Sequence, residues 1–242
     1  MSRPVALVLL AVLPYILAAP DEARAAPRPA VVELFTSEGC SSCPPADALL
    51  AELALEPQVL ALAFHVGYWD RLGWPDRFAL ALADARQTRY VQTLALPSAF
   101  TPQVVIDGQL SFIGSDRRRI EPELRAARAG IGIALAWQAD ELTIDLAPAA
   151  IATVDVARNA DVLLLALRSE AQTKIARGEN GGRTLREVDI VRAAVAIGTC
   201  SGAAQRYSYR GSTLPADADA VAVLVQQAGQ RSILGAARIA RP

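Results

Sequence analysis

The pair Cys40 and Cys43, placed between a strand pattern and a helix pattern, constrains the fold of this chain more than any other feature. The run Ala30–Thr36 is apolar and rich in β-branched residues, which predicts a buried strand. A short loop carries the two cysteines, and two prolines then open a predicted helix over 44–55, since the first turn of a helix tolerates proline. The pattern therefore predicts a strand, a C-x-x-C loop and a helix in immediate succession.

The rest of the first half continues to alternate between strand and helix patterns. The predicted elements are a strand over Gln58–Val66, a helix from Asp76 to about Leu94, strands over Gln103–Ile106 and Leu110–Ile113, and a helix from Asp116 to Ala129. The dipeptide Asp107-Gly108 separates the two short strands and is typical of a hairpin turn. The peptide bond of Thr101-Pro102, directly before one of these strands, is expected to be cis.

The order β-α-β-α-β-β-α, with C-x-x-C after the first strand, indicates a thioredoxin-like domain. Pro102 supports this interpretation, because a proline at that place in the fold brings a backbone edge beside the reactive sulfurs. We therefore predict an α/β (α+β) thioredoxin-like domain over residues 26–130.

The second half carries many short apolar or alternating runs. They are Ile131–Gln138, Glu141–Leu146, Ile151–Val156, Asp161–Leu167, Thr184–Ile197, Arg206–Tyr209, Ala220–Gln226 and Ser232–Ile239. Turn signals at 180–182 and 228–230 separate some of them. Many short strands at close spacing predict a β-rich, antiparallel, sandwich-like domain over 131–242. The pattern leaves open whether the two halves share one core.

The first 25 residues have the pattern of a secretory signal. Arg3 precedes an apolar run of fifteen residues, Val5–Ala19, whereas a membrane-spanning helix needs about 20. Ala23-Arg24-Ala25 is an A-x-A site, so we predict cleavage before Ala26, with an uncleaved anchor as the alternative. The mature protein is then expected to be periplasmic or secreted, without stable insertion in a membrane.

Composition excludes two classes of protein. Hydrophobic residues make up 52% and charged residues 20%, which provides a core and excludes a disordered chain. The 24 Lys and Arg against 25 Asp and Glu leave no basic excess for nucleic acid or an anionic membrane surface. Three cysteines are too few to staple so long a secreted chain, so the C-x-x-C is interpreted as a working pair.

Five groups of residues are shared with a known family. They are Val32–Asp47 (V-E-L-F-T-S-E-G-C-S-S-C-P-P-A-D), Ala63–Val66, Tyr68–Asp70 with Leu72–Trp74, Thr101–Val105, and Arg177–Asn180 with Gly182–Leu185. With them, the chain resembles a family of secreted, thioredoxin-like bacterial proteins of unknown function. The resemblance implies a thioredoxin-like domain followed by a β-rich one, and it implies no substrate. The chain departs from this family at Gly67, where an acidic residue is usual.

The predicted function is thiol–disulfide exchange by an enzyme that needs no cofactor. Cys40 lies at a helix N-terminus, which favours a thiolate, and is the expected nucleophile. Cys43 is expected to attack the resulting mixed disulfide, and Pro102 to present its backbone to a protein or small-thiol substrate. Glu33 is a candidate for a buried carboxylate that exchanges a proton with Cys43, although its offset by one residue would turn it to the other strand face.

Two alternatives stay open for the cysteine pair. His65 is the one histidine of the chain, and with Cys40 and Cys43 it would form a three-ligand copper or zinc site. Otherwise, the disulfide is structural and the chain is a non-catalytic binding protein.

Three further features have both a functional and a plain structural interpretation. The aromatic residues of Tyr68–Asp70 and Trp74 line a ligand groove or pack under a loop. The segment Arg177–Arg183 covers the redox site or is an ordinary hairpin tip. Cys200 is a buried free thiol or, at an exposed site, a third redox partner or a dimer bridge.

Overall fold

A computed structural model describes residues 25–150, 157 and 159–242 of the protein. The predicted signal segment, except for its last residue, and the predicted strand Ile151–Val156 lie outside the described residues. Within the described part, no helix is long and apolar enough to cross a membrane.

The protein has a mixed α/β fold in which strands predominate. The described helices are α1 (Pro44–Leu53), α2 (Ala81–Thr93) and α3 (Arg117–Leu124). The strands are β1 (Ala26–Pro27), β2 (Ala30–Thr36), β3 (Val59–His65), β4 (Gln103–Ile106), β5 (Leu110–Ile113), β6 (Ala129–Gly130), β7 (Ile133–Gln138), β8 (Glu141–Leu146), β9 (Ala160–Lys174), β10 (Thr184–Cys200), β11 (Gln205–Arg210), β12 (Ala220–Gln227) and β13 (Ile233–Ala240). The α/β class predicted from the sequence is confirmed at this level.

One eight-stranded sheet runs through both halves of the chain. Its strand order is β13-β12-β9-β10-β3-β2-β4-β5. Strand β3 pairs in parallel with β2 and with β10, and the other neighbours in this sheet are antiparallel. Because β10 joins β3, the sheet crosses the predicted boundary at residue 130.

The residues of β2 alternate between two hydrophobic cores. Val32 and Leu34 belong to the core that includes the apolar residues of α1 and α3. Val31 and Phe35 belong to the core that includes Tyr90 of α2, and residues of β9 and β12 belong to the same core. Alternate side chains of a strand point to opposite faces, so helices cover both faces here. The two halves of the chain therefore share a core.

A second, three-stranded sheet covers the C-terminal strands. Its order is β11-β8-β7, and all its pairs are antiparallel. Leu142 and Ile144 of β8 pack with Leu164 of β9 and Val223 of β12. The face of β9 and β12 that is turned away from α2 is thereby buried between two sheets.

Local expectations near the cysteines are confirmed with changed boundaries. Asp107 and Gly108 form the β4–β5 turn with φ of 51° and 70°, and Thr101-Pro102 is cis. Helix α2 begins at Ala81 rather than Asp76, because the Asp76 carboxylate accepts backbone N–H groups of its own loop and of the C-x-x-C loop. Helix α3 ends at Leu124, where the guanidinium of Arg128 binds the last carbonyls.

Candidate functional site

Cys40 and Cys43 form a disulfide at the start of α1. Their Cα atoms are 5.4 Å apart, and Cys43 is the N-cap residue of the helix. Both cysteines are 0% exposed. The prolines at 44 and 45 have no N–H to offer, and the next two N–H groups of the helix bind the Cys43 carbonyl. Hydrogen bonds that stabilise a Cys40 thiolate therefore come from side chains.

A chain of two hydrogen bonds ends at the sulfur of Cys40. The indole N–H of Trp69 donates to Thr101 Oγ1 at 2.7 Å, and the Thr101 hydroxyl donates to Cys40 Sγ at 3.3 Å. The Thr101 hydroxyl thus accepts a hydrogen bond from Trp69 and donates one to the sulfur. The Ser42 hydroxyl lies 3.4 Å from the same sulfur. Pro102 is buried and directly follows Thr101, the residue whose hydroxyl contacts Cys40 Sγ.

The tip of the β9–β10 hairpin lies over the C-x-x-C loop. The side-chain amide of Asn180, 1% exposed, donates to the carbonyls of Glu38 and Cys40, both at 2.9 Å. Glu179 accepts the Ser41 N–H at 3.4 Å. The segment Arg177–Arg183, here called the cover, thus packs on the loop that carries the disulfide.

A buried ionisable cluster, here called the acidic cluster, lies near the disulfide. It contains Glu38, Asp47, His65, Asp76 and Glu187, all buried. His65 Nδ1 lies 2.7 Å from Asp76 Oδ2. Burial by itself would lower the pKa of His65, but the neighbouring carboxylates, Asp76 first, outweigh it and raise the pKa to about 9. The carboxylates around His65 thus favour its charged form.

The carboxyl groups of the acidic cluster are incompletely paired. Burial raises the pKa of Asp47 to about 6, against the opposing effects of the Thr36 hydroxyl and His65. Burial likewise raises the pKa of Glu187 to about 8. Glu38 Oε1, His65 Nε2 and Glu187 Oε2 are buried without a hydrogen-bond partner among the residues that the structure describes. Groups with pKa values near neutrality that lie close together are typical of functional sites.

Trp74 joins the acidic cluster to the surface. Its indole N–H donates to Glu38 Oε2 at 2.7 Å, and Gly178 of the hairpin tip lies against it. Trp69 and Trp74 thus hold the site together through their polar N–H groups.

Glu33 lies away from the cysteines, on the other side of the sheet. It belongs to the same face of β2 as Val31 and Phe35, by strand alternation. Its two oxygens accept hydrogen bonds from Arg86, at 2.5 and 2.9 Å, and one also accepts the Tyr90 hydroxyl at 2.7 Å. The structure does not bring this predicted site residue to the disulfide.

The proposed metal ligands do not come together either. His65 is held by Asp76, as described above. In the part of the chain that the structure describes, no group of three or more His, Cys, Asp and Glu side chains is arranged to hold a metal ion. Cys200 is a free, buried thiol in the core between the two sheets.

A groove runs beside the site, between α1 and β10. Its volume is 390 Å³, and its walls include Pro44, Asp47 and Ala48 of the helix and Thr184 and Leu185 of the strand. One buried member of the acidic cluster, Asp47, thus reaches a solvent-filled space.

The sequence analysis gave no individual role to five residues of the site, namely Glu38, Asp47, Asp76, Asn180 and Glu187. For Asp47 a signal existed, since it lies four positions after Cys43 and therefore on the same side of the helix. Asn180 was noted as part of a turn and not as a ligand of the C-x-x-C backbone. Glu38, Asp76 and Glu187 come together through contacts between residues that are distant in sequence.

Comparison with known proteins identifies a family and two similar structures. The family described as "Protein of unknown function (DUF1223)" matches residues 31–226. No curated protein matches the chain. The crystal structure of protein AGR_C_4864 from Agrobacterium tumefaciens has a TM-score of 0.75 and 27% identity, covering 87% of this chain and 93% of that one. HBP35 of Porphyromonas gingivalis has a TM-score of 0.59 and 15% identity, covering 89% and 76%, and shows likeness of fold alone.

Proposed function

Because the chain belongs to the DUF1223 family, whose function is unknown, we propose its function from the site itself: it is a thiol–disulfide oxidoreductase with a thioredoxin-like first half. The observation that carries the proposal is the Cys40–Cys43 disulfide at the N-terminus of α1, with the Thr101 hydroxyl directed at Cys40 Sγ. A bridge that closes so short a loop removes little entropy from the unfolded chain, so stability is a poor reason for it.

Cys40 is the nucleophile of the proposed reaction. In the reduced protein, its thiolate attacks a sulfur of a substrate disulfide, R–S–S–R′. The new bond joins Cys40 Sγ to one substrate sulfur, and the other sulfur leaves with the electron pair as a thiolate. The Thr101 hydroxyl and the helix dipole favour the Cys40 thiolate.

Cys43 completes the exchange. Its thiolate attacks Cys40 Sγ, the bond from Cys40 to the substrate breaks, and the second substrate thiolate leaves. The substrate is thereby reduced by two electrons, and the protein is oxidised to the disulfide form described above. The same steps in reverse oxidise a substrate dithiol.

Access to the sulfurs requires movement of the cover. The disulfide is fully buried, and nucleophilic attack needs a free line of approach to a sulfur atom. The hairpin tip Arg177–Arg183 holds the C-x-x-C loop by hydrogen bonds of Asn180 and Glu179. Opening of this tip would admit a protein or small-thiol substrate.

The proposed site of action is outside the cytoplasm. The N-terminal pattern favours export and cleavage before Ala26, and oxidising compartments maintain disulfides. The metal-binding alternative lacks comparable support, because His65 lies against Asp76.

A glutathione redox titration with thiol trapping of Cys40 and Cys43 tests the proposal. We expect a reversible transition, with a potential of about −120 to −200 mV for an oxidant or isomerase and below about −270 mV for a reductase. Cys40→Ser should abolish exchange, Cys43→Ser should accumulate mixed disulfides, and Cys200→Ser should behave like the parent protein. Full exchange activity in the Cys40→Ser protein would refute the proposal.

A further inference from the structure

In the described part of the chain, the cover is joined to the neighbouring loops by hydrogen bonds of its side chains and not of its backbone. The N–H of Ile175 donates to the carbonyl of Arg183 at 2.9 Å, which closes the segment on itself. The bonds to the C-x-x-C loop and to the loop after β3 come from the side chains of Arg177, Glu179 and Asn180. The cover can therefore leave the disulfide when a few side-chain bonds break, while the ladder between β9 and β10 stays intact.

Two arginines of the cover donate to neutral acceptors. Arg177 Nε donates to the carbonyl of Gly73 at 2.6 Å, and Arg183 Nη1 donates to Asn180 Oδ1 at 3.3 Å. Both arginines are exposed, and neither forms an ion pair with a residue that the structure describes. Because a guanidinium does not lose its proton in a protein, the cover presents two permanent positive charges that have no carboxylate partner there.

A carboxylate is a better partner for these guanidiniums than the acceptors they have. Hydrogen bonds between ionised groups are about twice as strong as those between neutral groups, and the planar fork of a guanidinium matches both oxygens of a carboxylate. The bond to Gly73 joins the cover to the loop after β3. The Arg183 bond orients the Asn180 amide, which donates to the carbonyl of Cys40. A carboxylate that takes either guanidinium thus weakens the closed position, because it binds the open cover better.

We propose that the cover recognises an acidic polypeptide segment beside the reacting cysteine of the substrate. Carboxylates of this segment take Arg177 and Arg183 from their neutral acceptors, and the cover then leaves the disulfide. The two acceptors lie on different parts of the protein, Gly73 in the loop after β3 and Asn180 in the cover itself. This separation favours a chain with carboxylates at two positions over a small thiol with one. The inference rests on the proposed exchange function and names its substrate class.

The other charges near the cover do not cancel this attraction. Glu179 is the one carboxylate in the sequence of the cover, so two arginines against one glutamate leave a net charge of +1. Its Oε2 accepts the Ser41 N–H at 3.4 Å. The carboxyl groups of the acidic cluster are buried, and His65 and Arg77 offset part of their charge. The exposed charge that an approaching chain meets on the cover is therefore positive.

Reduction of the oxidised protein by thiol peptides of matched size tests the proposal. The peptides are acetyl-Glu-Cys-Glu-amide, acetyl-Gln-Cys-Gln-amide and acetyl-Lys-Cys-Lys-amide, and the small thiols 3-mercaptopropionate and 2-mercaptoethanol are measured beside them. Two thiol molecules transfer two electrons and two protons to Cys40 and Cys43 and become one disulfide. Acid quenching and thiol trapping give the rates. Comparison of each variant with the parent protein cancels the intrinsic reactivity of each thiol.

The double variant Arg177→Gln, Arg183→Gln is the direct test. The ratio of the rate with the glutamate peptide to that with the glutamine peptide should fall about tenfold, whereas a merely structural loosening of the cover would accelerate all peptides alike. The double variant with lysine at both positions keeps the charges and should retain most of the ratio. Arg186→Gln, at an exposed ion pair of the same hairpin, is the matched control and should keep it fully. Added salt should lower the ratio in the parent protein.

The outcomes distinguish the two proposals. If none of the thiols reduces the disulfide in the folded parent protein, the exchange function itself is refuted. Equal ratios in the parent and the glutamine double variant would overturn the role of Arg177 and Arg183 and leave the exchange function intact. If 3-mercaptopropionate depends on the arginines as strongly as the glutamate peptide does, the arginines serve a small carboxylated thiol, and the choice of a polypeptide is wrong.

Discussion

Strand β2 separates two buried ionisable networks that differ in how completely their groups are paired. On the side of α2, Glu33 meets the guanidinium of Arg86 and the Tyr90 hydroxyl, and Gln226 of β12 binds both partners. On the side of α1, the acidic cluster sets His65 and the half-exposed Arg77, 3.8 Å from Glu38, against four carboxyl groups. Three polar atoms of the cluster are left without hydrogen-bond partners among the described residues.

This difference in pairing indicates that the Glu33 network is structural, whereas the acidic cluster contains groups that can take up and release protons. The Glu33 network satisfies its charges and joins β2, α2 and β12, and its Arg86 has a pKa raised by Glu33 in spite of burial. The acidic cluster has pKa values of about 6, 8 and 9 for Asp47, Glu187 and His65, so it exchanges protons in the range in which thiols react.

The largest expected effect on the free energy of unfolding comes from breaking the Glu33 network. Glu33→Ala leaves the Arg86 guanidinium buried without its carboxylate, which should lower the free energy of unfolding by about 3–5 kcal/mol. Urea unfolding of the oxidised protein at pH 7 measures this loss of free energy. Arg117→Gln, which removes an exposed ion pair with Glu52, should cost less than about 1 kcal/mol. A loss for Glu33→Ala as small as that of the control would contradict the distinction between the networks.

The second effect is on the pH dependence of stability. The pKa of Glu187 is higher in the folded protein, about 8, than the ordinary value of 4.5, so the folded state binds this proton more tightly. Stability is then lost as pH rises from about 4.5 to 8. Glu187→Gln imitates the protonated form and should remove on the order of 2 kcal/mol of this loss.

Urea unfolding midpoints between pH 5 and 9 provide the measurement for Glu187→Gln. Asp47 and His65 also have raised pKa values and lose stability in the same direction, so a smaller slope should persist in the variant. Glu170→Gln alters an exposed carboxylate at the other strand of the same hairpin and should keep the full slope. A Glu187→Gln slope equal to that of the parent would show that the burial of Glu187 has no energetic consequence.

A third effect concerns the cover of the disulfide. Asn180→Ala removes two buried hydrogen bonds to the C-x-x-C backbone, which should destabilise the closed cover by about 1.4 kcal/mol. Reduction of the disulfide by dithiothreitol should then accelerate about tenfold. Arg186→Gln, at an exposed ion pair of the same hairpin, is the control. Equal reduction rates in Asn180→Ala and the parent would mean that the hairpin tip does not limit access.

The smallest effect is expected at Thr101. Thr101→Val removes the hydroxyl that donates to Cys40 Sγ, a hydrogen bond with a net value of about 1 kcal/mol. Alkylation of the reduced protein by iodoacetamide at pH 6.5 should slow about fivefold because less thiolate is present. Thr88→Val, on the exposed side of α2, should leave the rate unchanged. An equal or faster rate in Thr101→Val would indicate that this hydroxyl does not stabilise the thiolate.

Local patterns predicted the elements around the cysteines well. The apolar run over Ala30–Thr36, the proline pair and the Asp107-Gly108 turn each act through the backbone of a few neighbouring residues. The order of strands and helices up to residue 130 followed from them. Boundaries differed where a side chain caps the chain, as Arg128 does for α3.

Contacts between residues that are distant in sequence could not be predicted from local patterns. Strand β10 pairs with β3, with Ile190 opposite Ala63. No local sequence pattern predicts this pairing. The strand Asp161–Leu167 was predicted too short, since the polar residues up to Lys174 are held by the ladder to β10. For Glu33 the offset by one residue was the informative signal, because alternation along β2 determines which network it joins.

The separation of 140 residues between Cys40 and Asn180 has a consequence for the order of events during synthesis. A chain made from its N-terminus presents both cysteines long before the hairpin tip that later covers them. Domains fold as their residues become available. An oxidant therefore reaches the two cysteines easily before β9 and β10 have joined the sheet, and less easily afterwards. The joining of β9 and β10 to the sheet thus ends the period in which the two cysteines are easily reached.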